Sequence, residues 1–466
     1  MKILWIVNTI FPYPSEMIGR EKDIFGGWLI GLADKLKDFK EIELSIVSTY
    51  TGNSIKKFYD GKIVYYLMPG TTVTKYNKRL NEYCKEILND CKPDILHVHG
   101  TEFAHGLSFL NVCNKEMKKV VSIQGLTSCI SKVYLAGIPN KEIINNITLR
   151  DIIKRDNLFQ QKKKFENRGE YEKEIIKKCD YIIGRTEWDY ANTKVINPQS
   201  KYYLGNEILR SCFYYKEWNI EEIEDRSIFC SQAGYPIKGI HYVLEAIYIL
   251  KKKYKDVKLY IAGNNIVFTN TLNDKLKLSG YAKYLKKLIK KYHLEDNIVF
   301  TGILNEEEIL ERLLKSNVFI LPSAIENSSN SLGEAMLLGM PCVASNTGGT
   351  MDMMEHEKEG FLYTYTEPAM LAEYISKYFE KEEVVYLTGE WQFFWDEHIV
   401  SEKKQNTNTN FYVQVPSSWT TYKLDDEKFS NGGKASYRTV LNDVNIKEPF
   451  VVSVPNLPGK CEVFID

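Results

Sequence analysis

Several features are missing from this sequence, and each absence removes a class of function. No stretch approaches the roughly 18 uncharged residues needed to span a bilayer. The N-terminal apolar run Ile3 to Val7 is far shorter than a signal-peptide core, and Phe11-Pro12-Tyr13-Pro14 follows it where a small-residue cleavage site would stand. This reads as a first β-strand of a cytoplasmic protein whose membrane contact, if any, is peripheral. Net charge is also missing: Lys+Arg and Asp+Glu each number 61, so no bulk attraction to nucleic acid is expected. The nine cysteines are scattered singly, none paired at two-residue spacing, which fits reduced thiols and excludes a zinc ribbon or a redox pair. No Asp-any-Asp pair occurs, so a metal-chelating pair of that kind has no candidate and no required metal is expected; no separate cofactor is expected either.

What is present is an alternation. A chain of 466 residues is too long for one core, and short β-branched runs alternate with amphipathic charged stretches, the pattern of β-α-β units around parallel sheets. In the first half the runs are Ile3 to Val7, Ile42 to Ser48, Ile63 to Leu67, Ile95 to Val98, Val120 to Gln124, Tyr181 to Gly184 and Tyr202 to Leu204. The stretch from Leu149 to Lys178 reads as one long helix with a solvated face. A second series has runs at Ser227 to Ser231, Val257 to Ala262, Ile298 to Thr301, Val318 to Leu321 and Cys342 to Ser345. Two such series make an α/β protein of two facing Rossmann-like domains, 1–215 and 216–385, with ligands at the carboxyl ends of the strands. After residue 380 the texture turns all-β, with many aromatics and the turn signal Asn431-Gly432-Gly433, so 386–466 reads as a separate β-rich segment.

The densest chemical signal is Pro322-Ser323-Ala324-Ile325-Glu326-Asn327-Ser328-Ser329-Asn330-Ser331-Leu332-Gly333-Glu334-Ala335-Met336, followed by Gly339-Met340-Pro341 and Thr347-Gly348-Gly349. Small hydroxyl and amide residues just before an apolar helical repeat are N-cap chemistry, and the free N–H groups of such a helix make an anion site. Glu326 falls before the helix and Glu334 within its first turns. Carboxylates at those two depths suit polyol hydroxyls, because each accepts two hydrogen bonds.

The order Glu, seven residues, Glu, with Gly-Met-Pro-Cys-Val-Ala-Ser and Thr-Gly-Gly behind it, resembles the retaining family 4 glycosyltransferases of the GT-B fold over residues 1 to 380. Phe25-Gly26-Gly27-Trp28, the run Pro93 to Gly100, Lys238-Gly239-Ile240, Leu259 to Gly263 and Val299 to Gly302 match as well. Ile183 to Asp189 and Asn206 to Arg210 are similar to polysaccharide-building members. The resemblance implies that Glu326 contacts the donor hexose and Glu334 the ribose, that N–H groups near Asn330, Ser331 and Leu332 hold the diphosphate, and that Lys238 neutralises it as it leaves. It also implies base contacts from Gly302, Ile303 and Leu304, and a close backbone approach at Gly26 and Gly27 to the phosphates or acceptor. A nucleotide sugar is then the substrate, and a glycan or lipid-linked glycan the acceptor.

Three departures from that family stand out. The stretch Phe229 to Lys238 holds no second phosphate cation, and where a histidine commonly reaches the donor sugar the chain has Gln124, with His99 and His105 nearby in sequence. The end of the chain resembles an incomplete jelly-roll, galactose-binding-like module whose open edge would favour oligomers. A nucleotide-sugar epimerase and a non-catalytic carbohydrate-binding or sensor protein also fit parts of the sequence. Trp28, Lys56-Lys57-Phe58-Tyr59 and Lys132-Val133-Tyr134 offer aromatic and basic side chains toward a membrane-bound acceptor, although ordinary surface and core packing is the reading their types favour.

Overall fold

The computed structural model describes residues 1–20, 27–70, 74–207, 209–269 and 271–380, with the two-residue strands Phe411–Tyr412 and Ala435–Ser436. The rest of the β-rich segment expected at 386–466 lies outside the described residues, as does Gly26.

Two open sheets are formed, one from each β-α series. The first contains β1 (Lys2–Ile6), β2 (Glu43–Tyr50), β3 (Lys56–Tyr59), β4 (Val64–Pro69), β5 (Ile95–His99), β6 (Lys118–Ser122), β7 (Tyr181–Gly184) and β8 (Lys201–Leu204). Its order is β3-β4-β2-β1-β5-β6-β7-β8, parallel except for β3, which runs antiparallel to β4. The sequence reading missed β3 because its side chains are almost all outside the core, so no apolar alternation marks it. The second sheet contains β9 (Glu224–Cys230), β10 (Lys258–Ala262), β11 (Ile298–Gly302), β12 (Ser316–Leu321), β13 (Cys342–Ser345) and β14 (Phe361–Tyr363), in the order β11-β10-β9-β12-β13-β14, all parallel. Every residue of β12 is buried, as a central strand covered on both faces requires.

The strand order reverses once in each sheet, between β1 and β5 in the first and between β9 and β12 in the second. At such a point neighbouring loops leave in opposite directions and open a crevice at the carboxyl ends of the strands. These two crevices position everything that follows.

The single helix expected from Leu149 to Lys178 is two, Leu149–Lys154 and Leu158–Lys178. Arg155 takes a left-handed conformation (φ 49°), and Asn157 restarts the chain with a capping box to Gln160. The break lets Ile138, Ile143 and Leu158 pack into the core of the second sheet with Val243, Ile247 and Leu285. Each such burial contributes about 1.5–3 kcal/mol relative to exposure, so the two series are joined by a shared core as well as by polar contacts. On the opposite face of the second sheet, Phe213 is buried with Phe229 and Phe319.

Candidate functional site

The second crevice brings Lys238 and Glu326 together. Lys238 lies in the 3-10 turn after β9 and Glu326 in the loop after β12. Gly239 joins these loops: its φ is 70°, and a Cβ there would collide with the Pro322 carbonyl. At this approach Lys238 Nζ donates to Glu326 Oε1 at 2.5 Å, and Ser323 Oγ donates to the same oxygen at 2.7 Å. Gly348 (φ 58°) lies against the Glu326 carbonyl in the same way, and the Gly349 N–H donates to that carbonyl at 3.0 Å. The backbone of Glu326 is therefore clamped by the β13 loop while its carboxylate faces the lysine.

Four residues further on, the helix Asn330–Leu337 begins, capped by Ser329, whose side chain accepts from the Leu332 N–H. Ser331 Oγ bonds both Ser329 Oγ and Ser231 Oγ at 3.1 Å, tying the helix start to the end of β9. The N–H groups of the first turn and the helix dipole give this end a partial positive charge beside Lys238. Glu334 is buried in the same helix and accepts from Arg210 Nε and NH2 at 2.6 Å each. Burial pushes its carboxyl pKa up, and the arginine pulls against that shift. Gly302 ends β11 with φ 84° and accepts from the Gly263 N–H at 2.8 Å, Ile303 is exposed, and Leu304 is half-buried.

The first series reaches this loop directly. Asn327 is buried, donates through Nδ2 to Asp189 Oδ2 at 2.8 Å and the Gln124 carbonyl at 3.2 Å, and accepts from Thr186 Oγ1 at 2.5 Å. Arg185, 6% exposed in its side chain, donates to the Gln124 carbonyl at 2.9 Å and the Ser328 carbonyl at 3.4 Å, and pairs with Glu207 at 3.0 Å. Glu207 also accepts from Asn330 Nδ2 at 2.9 Å. Sequence reasoning found no second cation between Phe229 and Lys238; two arginines, Arg185 and Arg210, come instead from the other half of the chain. Both stand in stretches noted for their resemblance, but nothing in their spacing ties them to residues more than a hundred positions away.

Among the other expected residues, Gln124 takes part through its carbonyl, in the loop that follows β6. His99 is 1% exposed, enclosed by Trp5, Trp28 and His97, and burial keeps its ring neutral well below the usual histidine range. His105 is likewise buried, with Nε2 against the Val7 carbonyl at 3.2 Å. Gly27 opens the helix Gly27–Leu36.

One residue that sequence reasoning missed stands at the first crevice. Glu102 follows β5, and its Oε2 is enclosed without a partner among the described residues. It lies over Gly100 (φ 84°), where a Cβ would meet Glu102 Oε2, Asn8 Nδ2 at 3.2 Å and Gln124 Oε1 at 3.4 Å, so side chains following β1, β5 and β6 converge there. Burial, reinforced by Glu172 and opposed by Arg168 and Arg185, raises the Glu102 pKa to about 7. A carboxyl raised above its unfolded value binds its proton in the fold before the unfolded chain does, so its contribution is present at pH 4 and lost as pH rises toward 7 and beyond. Glu102→Gln should flatten the stability-versus-pH curve between pH 5 and 8. Urea midpoints across that range check this, and unchanged curvature would contradict it.

The model of the family described as glycosyl transferases group 1 matches residues 216–385, which include Lys238, Glu326 and Glu334. The chain matches no curated protein sequence. Among solved structures it is similar to sucrose-phosphate synthase of Thermosynechococcus elongatus (15% identity, TM-score 0.57, covering 83% of this chain and 91% of that one). It is also similar to HepE of Anabaena in complex with UDP-glucose (15% identity, TM-score 0.54, 83% and 92%) and to an E. coli trehalose-6-phosphate structure bound with UDP-2-fluoro glucose (11% identity, TM-score 0.54, 83% and 92%). With a group 1 domain on its second sheet and two facing sheets of this kind, the chain is a glycosyltransferase of GT-B fold.

Proposed function

We propose that the protein is a retaining hexosyltransferase of the family 4 type, moving a hexose from a nucleoside diphosphate, UDP above all, to a glycan or lipid-linked glycan in polysaccharide biosynthesis. Residues 216–385 hold the donor, and residues 1–215 present the acceptor. The observation that carries the reading is the Lys238–Glu326 pair at the second crevice, beside the N-terminus of Asn330–Leu337. Two of the similar structures hold UDP-sugars or their analogues, which favours uridine.

In this reading the diphosphate lies on the first-turn N–H groups of Asn330 and Ser331, the Leu332 N–H being held by Ser329, and displaces Lys238 from Glu326. The lysine then neutralises charge as the diphosphate departs, and the freed Glu326 accepts hydrogen bonds from sugar hydroxyls. Arg185 adds a second positive charge from the facing series, held ready by carbonyls and Glu207. The ribose meets Glu334, whose orientation Arg210 fixes with two parallel hydrogen bonds, and the base meets Gly302, Ile303 and Leu304. On the acceptor side Gln124, with Asn8 and Glu102 beside it, offers groups suited to a polyol.

Calorimetric titration with UDP, GDP, ADP and TDP tests the donor site. UDP should bind saturably, and Glu334→Gln should weaken it about tenfold, the effect of losing roughly 1.4 kcal/mol of ribose contact. An unchanged affinity in that variant would remove Glu334 from the site.

A further inference from the structure

We propose that the face built by the helices Asn140–Asn145, Leu149–Lys154, Leu272–Lys277 and Gly280–Lys291 is a docking surface for an anionic lipid bilayer. The observation behind it is a helix that is inside out. In Leu149–Lys154 the residues at positions i, i+3 and i+4 are Leu149, Ile152 and Ile153, and they stand 59%, 65% and 73% exposed, while Asp151 of the same helix is buried. A helix on a protein surface normally turns its aliphatic stripe inward and its carboxylate to water.

The inversion is enforced by hydrogen bonds. Asp151 Oδ2 accepts from the Gly280 N–H at 2.9 Å and from the Thr148 N–H at 3.1 Å, and Arg150 pairs with Asp151 Oδ1 at 3.1 Å. Rotating the helix to hide its isoleucines would break the one bond that ties Asp151 to a neighbouring element and leave the Gly280 N–H without its acceptor. Ile144 on the preceding helix and Leu276 on the helix packed beside Leu149–Lys154 are also exposed, so the apolar surface continues past one element.

Cations are concentrated on the neighbouring helix. The helix Gly280–Lys291 carries five lysines and no carboxylate. Lys283 Nζ reaches the Asn145 carbonyl at 3.2 Å and Lys287 pairs with Glu142 at 2.7 Å, which fixes that helix beside the apolar ridge. Lys154 and Arg155 are exposed at the end of the inverted helix. Exposed aliphatic side chains on elements where lysine and arginine outnumber Glu142, Asp156 and Asp274 fit an interface of acyl chains under anionic headgroups. A second copy of the chain fits poorly, because a two-fold contact through this face would set lysines against lysines and lysine is depleted in protein interfaces. The aromatic and basic residues weighed from sequence are a poorer candidate: Tyr134 is buried and bonded to Gln161, and Lys57 is paired with Asp90.

The test is flotation of the full chain with vesicles of phosphatidylcholine alone and with about one-third phosphatidylglycerol. Binding should require the anionic lipid and fall as salt is raised. It should drop by about tenfold or more in the double variant Ile152→Ser/Ile153→Ser, since each methylene withdrawn from the apolar phase weakens partition roughly fourfold. Lys286→Gln/Lys290→Gln should weaken binding at low salt only, and Lys56→Gln/Lys57→Gln should leave it unchanged. These side chains are exposed, so the melting temperature and UDP affinity of all three variants should match the parent, separating a failure here from a failure of the donor site. Three results would each overturn the proposal: no flotation with anionic vesicles, flotation unchanged by the isoleucine substitutions, or a concentration-dependent dimer that those substitutions abolish.

Discussion

Lys238→Ala should lower kcat by about 10²–10³ while changing KM far less, the scale on which a single preorganised charge at a developing anion acts. The fold supplies the reason. Gly239 brings the β9 loop onto the β12 loop, and at this approach the lysine bonds Glu326 at 2.5 Å. A nucleotide sugar entering there replaces a protein carboxylate by a diphosphate as the lysine's counter-ion, so the charge is already aligned when the glycosidic bond breaks. Lys238→Arg should recover only part of the rate, because the broader guanidinium does not fit a point contact made beside Ser323. Glu326→Gln separates this reading from a purely structural pair: it frees the lysine and keeps the diphosphate contact, so nucleotide binding should hold or tighten while sugar transfer falls. A Lys238→Ala enzyme of parental kcat would remove the lysine from the chemistry.

The second large effect is on stability. Asn327→Ala should cost about 2–3 kcal/mol, and Asn327→Asp more, as read from urea midpoints. Asn327 is buried and makes three hydrogen bonds, all to the first series: to Asp189, to the Gln124 carbonyl and from Thr186. Alanine strips a donor from the buried Asp189 carboxylate, takes the acceptor from the Thr186 hydroxyl and leaves the Gln124 carbonyl to Arg185 alone. Aspartate would set two carboxylates in hydrogen-bond contact in a buried site, which is the harsher change. Because Ser328, next in the chain, also receives Arg185, the same substitutions should weaken UDP binding without touching the nucleotide. A loss under about 0.5 kcal/mol for both variants would mean that the Asn327 contacts add nothing to what the shared apolar core and the other polar contacts already hold.

Much of this was legible in the sequence, for identifiable reasons. Strands β1, β5, β9, β10, β12 and β13 each carry a short apolar run that is largely buried, so their composition declares them. β3 is an exposed edge and β14 is three residues long, and neither leaves a pattern. Lys238, Glu326 and the cap before Asn330 were visible because each sits in a local motif. Arg185, Arg210 and Glu207 were not, because their partners in the second series lie 124 to 143 positions away for the two arginines and 123 for Glu207, and only the facing of the sheets brings them together. The helix break at Arg155 was readable in principle from Asn157 and Gln160, a capping-box spacing hidden inside a run of lysines. The inverted helix was not: Leu149, Ile152 and Ile153 carry the same periodicity whether they face in or out, and only the bond from Gly280 to Asp151 decides it.

The measurement closest to the central claim is proton NMR of the intact protein incubated with UDP-hexoses, following both UDP and the anomeric signal of the sugar. Consumption of at least one α-linked UDP-hexose is expected, with UDP accumulating, the first-formed sugar product keeping the α configuration, and the signal lost in Lys238→Ala. A folded protein that binds UDP yet consumes no UDP-hexose in the presence of glycan or lipid-linked acceptors, or one whose first product is β, would contradict the retaining transfer proposed for this site.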